Sequence, residues 1–356
     1  MQPVNDISPK ESSELTVRLI QALNDAIDSG TDEPSIVANI AKNIPAYLTK
    51  SSRLGAFNFS SGSIANVPGS IFVHQTPKVS YTGIGKTKSG QPKSIEVGDL
   101  LLLSTIQSNT GEVSRRAMLF QAKMFESIPV SSTGNSEQHK LYNEWPIFHY
   151  LRSTRDLNGM YRWICDLDLH ESAKYLLLKD TVSPLGGWPH WLHSRLPDAN
   201  ALTANPTDPL SHYSCFVHEV YNFILGNVGK EFKVLNTTEY KDLSTQHSDI
   251  VKNFHASGII QPICPWQEGW SLLINDLLRI TSQKRTRLMG STTIKGARGV
   301  NTSSYKGEES NKVMSILNKF GFFSEPPSTP EADDEEPSIG LNIIEFTLIS
   351  NERFRD

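Results

Sequence analysis

The stretch that decides the fold runs from Ser94 to Glu126 and reads SIEVGDLLLLSTIQSNTGEVSRRAMLFQAKMFE. Leu100 to Leu103 form an apolar run that is bounded by turn residues and is too short to cross a membrane. Such a run is typical of a central strand that is covered on both faces. Residues 108–111, SNTG, predict a turn, and a second apolar strand follows from Arg116 to Met124. The stretch therefore predicts an antiparallel hairpin at the centre of a sheet.

Two polar side chains interrupt the second of these strands. Gln121 and Lys123 are two residues apart, so they project from the same face of the strand, together with Leu119. Asp99 stands at the start of the first strand, and pairing near Leu102 and Leu119 brings it beside Gln121. A carboxylate, an amide oxygen and an amine then converge at one end of a buried sheet. Hard cations such as Mg²⁺ prefer oxygen ligands, and a nearby lysine can position or deprotonate a water, so this arrangement suits metal-assisted phosphodiester hydrolysis.

An aspartate, an apolar strand, a turn and a second strand ending in Gln-x-Lys resemble the PD-(D/E)xK nuclease superfamily. The match is closest to the Gln-x-Lys variant of Mrr-like restriction endonucleases and related anti-phage effector nucleases. The resemblance implies that Asp99, Gln121 and the carbonyl of Ala122 bind Mg²⁺ or Mn²⁺, and that Lys123 is the catalytic lysine. Two features depart from the pattern: no proline precedes Asp99, and Gln121 is neutral. The alternative interpretation is a sheet with incidental polar residues at its ends.

The same resemblance implies an α/β (α+β) fold, in which a central mixed sheet of restriction-endonuclease type is flanked by helices. Residues 71–180 are expected to form this one sheet, covered by two N-terminal helices, the second with a break at Pro45. The predicted organisation has four parts. They are a nuclease-like α/β domain with the N-terminal helices (1–180), a mostly helical part (181–323), an acidic, proline-rich flexible segment (324–338) and a C-terminal strand (339–356). The last strand either returns to the body or augments a partner's sheet.

Additional acidic candidates lie before the hairpin. In the family that the motif resembles, a helix before the sheet often carries a further active-site glutamate, and Glu14 and Glu33 are the residues that could serve. Each is also interpreted as an ordinary solvated carboxylate, which is the preferred interpretation. Glu96 is either a second ligand or a charge at the entry to the strand. Gln138, at the start of the helix predicted after the hairpin, either lines the site or is exposed at the helix start, and the exposed position is the preferred interpretation.

Two groups of basic residues are candidates for contacting a nucleic-acid backbone. Lys86 and Lys88 lie in the loop from 82 to 93, whose glycine spacing does not match a P-loop. That loop is either a phosphate contact or a solvated turn. The densest basic cluster in the chain ends the last predicted helix. Its cations either contact phosphates or complement the helix dipole, and they are Lys284, Arg285 and Arg287.

Composition bounds the class of protein. The chain has 356 residues, of which 38% are hydrophobic and 20% charged, so a packed core is expected rather than disorder. The net charge of −4 argues against a protein that coats nucleic acid, but a nuclease with a local basic surface remains compatible with it. Cys165, Cys215 and Cys264 are far apart, which indicates reduced structural thiols and not a zinc site or disulfide framework. With no apolar run of membrane-spanning length, a soluble cytoplasmic protein is expected.

Two functions follow from these patterns. The first is a metal-dependent nuclease that cleaves DNA, and the resemblance places it in prokaryotic anti-phage defence or restriction. The second is a non-catalytic subunit that keeps the nuclease fold and assembles with a partner protein in a defence complex. The neutral Gln121, the negative net charge and the lack of a recognisable DNA-binding module favour the second function.

Overall fold

The computed structural model describes residues 4, 7–48, 53–61, 70–74, 77–130, 134–154, 156–166, 168–182, 199–257, 268–283, 286–289 and 340–350. In this part of the chain, two β-sheets are packed together with flanking helices. The α-helices described there are α1 (Pro9–Asp28), α2 (Glu33–Leu48), α3 (Ser136–Glu144), α4 (Phe216–Ile224), α5 (Thr237–Ser257) and α6 (Gly269–Gln283).

The larger sheet is mixed and has eleven strands in the described part. Its central order is β1-β2-β15-β6-β7-β10-β11-β12, with β3 paired to β15 and β14, and β13 paired to β7. The strands are β1 (Arg53–Leu54), β2 (Phe57–Ser61), β3 (Ser70–His74), β6 (Leu100–Gln107), β7 (Val113–Met124), β10 (Ala173–Leu178), β11 (Ala201–Asn205), β12 (Ser211–Cys215), β13 (Lys230–Glu231), β14 (Thr286–Met289) and β15 (Gly340–Ser350).

The hairpin predicted from the sequence is the β6–β7 pair at the centre of this sheet. The two strands are antiparallel, with Leu101 opposite Leu119. The pairing is shifted by one residue from the Leu102–Leu119 pair expected from the sequence. It places Asp99, which directly precedes β6, opposite Gln121. The four consecutive leucines of β6 are all buried, which confirms a central strand covered on both faces.

The C-terminal strand β15 returns to the body of the protein. It runs parallel to β6, with Asn342 beside Leu100, and pairs antiparallel with β2 and β3 on its other side. At the opposite side of the hairpin, β10 runs parallel to β7. The sheet also continues beyond residue 180 through β11 and β12. The last strand therefore lies directly beside the strand that Asp99 precedes.

The expectation of one sheet over residues 71–180 is wrong. A second sheet, in the order β5-β4-β8-β9, forms from strands of the same region. The physical reason is that both faces of the β6–β7 hairpin are apolar and both need cover, whereas the N-terminal helices cover one face only. The strands of the second sheet are β4 (Lys78–Tyr81), β5 (Ile95–Glu96), β8 (Phe148–Arg152) and β9 (Tyr161–Arg162).

Each face of the central hairpin has its own hydrophobic core. On one face, Leu102, Met118 and Phe120 pack with α1, α2 and α4. On the other face, Leu101 and Leu119 pack with the second sheet, α3 and α6. Helix α2 runs through Pro45 instead of breaking there, because a proline close to a helix end removes only one of the last backbone hydrogen bonds. In the predicted mostly helical part, α4, α5 and α6 are accompanied by β11 to β14.

A fully buried ion pair joins the second sheet to α6. Arg162 donates to both carboxylate oxygens of Asp276, from Nε at 2.7 Å and from a terminal nitrogen at 3.0 Å, and neither side chain is exposed. Tyr150 and Tyr240 donate their hydroxyl hydrogens to the same carboxylate. Ser244 of α5 accepts hydrogen bonds from the guanidinium. Two helices and two strands are thus fixed around one buried charge pair.

The cysteines correct one expectation. Cys215 is a buried free thiol, but Cys165 is disulfide-bonded, whereas the sequence spacing indicates reduced thiols throughout. Sequence separation does not determine which cysteines a fold brings together, so spacing alone is a weak guide here. Among the described helices, none combines the length and apolar character that crossing a membrane requires.

Candidate active site

A polar pocket lies at the end of the central hairpin where β6 begins. Its volume is about 320 Å³. The walls come from the N-termini of α2 and α3, the edge of the second sheet, the end of β7 and the start of β15. Asp99, Gln121 and Lys123 all line it. The structure therefore brings together the three residues that the Asp and Gln-x-Lys pattern singles out.

Asp99 is held from several sides. One carboxylate oxygen accepts the backbone amide of Ala122 at 2.8 Å and the side-chain amide of Gln121. Its own amide donates to the Phe120 carbonyl at 2.8 Å. Burial raises the pKa of Asp99 to about 7; the Ala122 amide opposes this rise, and the nearby carboxylates of Glu33 and Glu96 add to it.

The residue before Asp99 leaves no room for a side chain. A Cβ atom at Gly98 would lie 2.7 Å from Leu119 Cδ1 and 2.9 Å from the hydroxyl of Tyr142. That hydroxyl donates to the Val97 carbonyl at 2.7 Å. Close packing around Gly98 therefore fixes the backbone that leads into Asp99.

Within the described residues, one of the two polar atoms in the Gln121 side chain has a hydrogen-bond partner and the other does not. The side chain is 2% exposed. Its nitrogen donates to Asp99, whereas its oxygen Oε1 is buried and has no hydrogen-bond partner within the described residues. An unsatisfied buried acceptor costs about 1–3 kcal/mol. The oxygen is thus suited to a cation or a hydrogen-bond donor that enters the pocket.

Lys123 reaches the pocket from the same face of β7 as Gln121. Its ammonium lies 3.5 Å from a carboxylate oxygen of Glu33, at the N-terminus of α2. Burial raises the pKa of the Glu33 carboxyl, while the charge of Lys123 acts in the opposite direction. Both side chains keep about a quarter of their surface exposed, at 22% and 25%, so the pair is accessible from the pocket.

A second ion pair also lines the pocket. Lys78 of β4 lies 3.8 Å from Glu96 of β5. Burial raises the pKa of Glu96, while the positive charges of Lys78 and, to a smaller extent, Lys123 oppose this rise. Two of the additional acidic candidates named from the sequence, Glu33 and Glu96, line the pocket. The pocket thus contains three carboxyl groups and two ammonium groups.

Other candidates lie away from the pocket or outside the described residues. Glu14 is on the exposed side of α1 and pairs with Arg18 at 3.9 Å. Lys86 and Lys88 are exposed in their loop and do not contribute to the pocket lining. Lys284 and Arg285 are outside the described residues, and Arg287 belongs to β14, of which the backbone alone is described.

Sequence reasoning prefers the wrong interpretation for one pocket residue and does not single out two others. Gln138 is 5% exposed and lines the pocket, which corrects its interpretation as an exposed helix start. The available signal is the N-cap Asn135, whose side chain accepts the Gln138 amide and turns the start of α3 toward the site. Lys78 and Asn342 carry no local signal, because distant strands bring them to the hairpin.

The donor set determines which cation fits. Among the described residues, no group of three or more His, Cys, Asp or Glu side chains is placed to hold a metal ion. The candidate donors are instead one carboxylate, that of Asp99, and the neutral oxygen of Gln121, with the Ala122 backbone beside them. Hard cations such as Mg²⁺ accept neutral oxygens together with one or two carboxylates. The orphaned Gln121 oxygen is the observation that makes this set fit a divalent cation.

No protein-family model, no curated protein and no solved structure matches this chain. Function is therefore inferred from the residues of the pocket and their geometry.

Proposed function

We propose that the chain is a metal-dependent nuclease of the PD-(D/E)xK type that hydrolyses phosphodiester bonds of DNA. The observation that carries this proposal is the meeting of Asp99, Gln121 and Lys123 in one pocket, where a buried oxygen of Gln121 has no hydrogen-bond partner among the residues that the structure describes. A carboxylate, a neutral oxygen donor and an ammonium are the groups that hydrolysis of a phosphodiester assisted by one cation requires.

Asp99, the side-chain oxygen of Gln121 and the carbonyl of Ala122 would hold the cation, Mg²⁺ or Mn²⁺. When bound, the cation supplies stabilisation of the negative charge that develops on a phosphoryl oxygen. The protein's contribution is to fix these oxygens beforehand. Asp99 is oriented by the Ala122 amide at 2.8 Å, and Gln121 is oriented by its hydrogen bond to Asp99. Gln121 is therefore preorganised on a central strand, and Asp99 directly before one, where its carboxylate is fixed by these hydrogen bonds.

Lys123 would act on the phosphate and the attacking water. Its ammonium can donate to a phosphoryl oxygen or orient the water. Glu33, 3.5 Å away, holds that ammonium at the pocket. Because this ion pair is exposed to the pocket, a phosphate can replace Glu33 as the partner of Lys123. Glu33 then becomes free to accept a proton, since burial has already raised its pKa.

A second function has its own supporting observation. Both ammonium groups of the pocket are already paired with carboxylates, Lys123 with Glu33 and Lys78 with Glu96. Such internal compensation suits a nuclease-fold subunit that has lost catalysis and assembles with a partner protein. The defence or restriction setting of either function comes from the motif resemblance.

The proposal is tested by incubating the purified chain with duplex and single-stranded DNA in Mg²⁺, Mn²⁺ or EDTA. We expect cleavage that depends on the cation. Gln121→Glu adds a charged ligand and is expected to retain cleavage or change the preference between Mg²⁺ and Mn²⁺. Gln121→Leu removes the neutral oxygen at similar size and is expected to slow cleavage by about 10–100-fold.

Three outcomes count against the proposal. If the parent cleaves neither form of DNA with either cation, the non-catalytic function takes its place. If cleavage is unaffected by EDTA, the cation has no part in it. If Gln121→Leu cleaves as fast as the parent, the buried oxygen is not a ligand.

A further inference from the structure

The C-terminal strand forms one wall of the pocket through Asn342. This residue lies in β15 beside Leu100 of β6, and it is 3% exposed. The side chain of Leu100 belongs to the core on the α1–α2 face of the sheet. Residues paired across neighbouring strands project from the same face of the sheet. The side chain of Asn342 therefore lies on the face covered by α2, whereas that of Gln121 lies on the face covered by the second sheet. Asp99 stands between them, where β6 begins.

Asn342 contacts the backbone of Asp99 directly. Its main-chain amide donates to the Asp99 carbonyl at 2.9 Å, and its side-chain amide donates to the same oxygen at 3.3 Å. Its side-chain oxygen Oδ1 is buried and has no hydrogen-bond partner among the described residues. Asn342 also lines the pocket, so two pocket-lining residues, Gln121 and Asn342, each have a buried acceptor oxygen without a hydrogen-bond partner in the described part of the chain.

We infer that Asn342 is a further residue of the cation site. Its amide groups hold Asp99 in place, and its side chain supplies a second neutral oxygen. The inference deepens the proposed function and rests on it for the identity of the cation. Charge explains why a carboxamide suits this position. Three carboxyl groups already face the pocket, and a fourth charge would add repulsion, whereas an amide adds a donor oxygen without it. The site is then completed by a strand that lies 243 residues after Asp99 in the chain.

Binding of Mn²⁺ alone, measured by titration calorimetry on the full chain, tests this inference. Asn342→Leu keeps the approximate shape but removes both polar atoms, and we expect it to bind Mn²⁺ at least about 10-fold more weakly than the parent. Asn342→Asp keeps the oxygen and adds a charge whose repulsion with the other carboxylates a bound cation offsets, so this variant is expected to bind Mn²⁺ as tightly as the parent or more tightly. The backbone hydrogen bond to Asp99 persists in every variant, which isolates the side chain.

Thr347→Val is the matched control, because it removes a buried hydroxyl from the same strand at a position that does not line the pocket. It should bind Mn²⁺ like the parent. If the leucine variant unfolds below the assay temperature, Asn342→Ala takes its place, because it removes the same polar atoms and introduces a smaller side chain.

The outcomes separate this inference from the proposed function. Equal Mn²⁺ affinity of Asn342→Leu and the parent overturns the inference, as does an aspartate variant that binds as weakly as the leucine variant. A parent that binds no Mn²⁺ also overturns it. A parent that binds Mn²⁺ through Asn342 but cleaves no DNA overturns the nuclease proposal and leaves the cation site standing.

Discussion

Asp99→Asn and Lys123→Ala are each expected to slow metal-dependent DNA cleavage by at least about 100-fold. Asp99 is the one carboxylate in the proposed donor set, because Gln121 and Ala122 contribute neutral oxygens only. Lys123 provides the positive charge at the phosphate that a single cation does not replace. The measurement is the single-turnover cleavage rate at saturating Mg²⁺, so that a change in DNA affinity does not enter the result.

The fold should survive both changes. Asp99→Asn replaces a buried carboxylate with a neutral group that still accepts the Ala122 amide, so the melting temperature should be retained or raised. Asp242→Asn and Lys241→Ala, on the exposed side of α5, are matched controls and should cleave like the parent. If both pocket variants also cleave like the parent, the hairpin is not the catalytic site.

Asp276→Ala is expected to destabilise the protein by about 3–5 kcal/mol, the largest effect on stability that we anticipate for a single substitution. The replacement leaves the Arg162 guanidinium fully buried without its counter-charge. It also removes the acceptor of two tyrosine hydroxyls, those of Tyr150 and Tyr240. The free energy of unfolding, measured by chemical denaturation, checks this value.

Two comparisons show whether the buried charge is the cause. Glu231→Ala removes the ion pair between Glu231 and Arg116, in which the Glu231 side chain is 58% exposed. This change should lower the free energy of unfolding by no more than about 1 kcal/mol. The double variant Arg162→Met with Asp276→Leu removes both charges and should recover much of the loss. A double variant as unstable as Asp276→Ala would mean that lost packing or lost hydrogen bonds, and not the unpaired charge, set the cost.

The sequence predicts the centre of the fold because the information there is local. Four consecutive leucines require cover on both faces, and the residues 108–111 fix a turn that brings Asp99 to the level of Gln121. The alternation of Leu119 and Phe120 assigns each face correctly. The sequence leaves two alternatives for the last strand, a return to the body or addition to a partner's sheet, and the pairing of β15 with β6 shows the first.

The remaining parts of the site depend on long-range packing, which local patterns do not encode. Strand β4 has the same apolar character whether it joins the main sheet or the second one, so the position of Lys78 at the pocket is not predictable from its neighbours. The same holds for Asn342, which is one of several polar residues in its strand. Glu33 and Glu14 are equally plausible on helical pattern alone, and only the packing of α2 against β7 selects Glu33.

Anomalous diffraction from crystals soaked in Mn²⁺ tests the central claim most directly, because it locates the cation without relying on activity. We predict a peak in the pocket, about 2–2.5 Å from the Asp99 carboxylate and from Oε1 of Gln121. The peak should be absent from crystals of Asp99→Asn treated in the same way. A peak elsewhere in the protein, or a pocket without a peak while the parent cleaves DNA in the same Mn²⁺ solution, would contradict it.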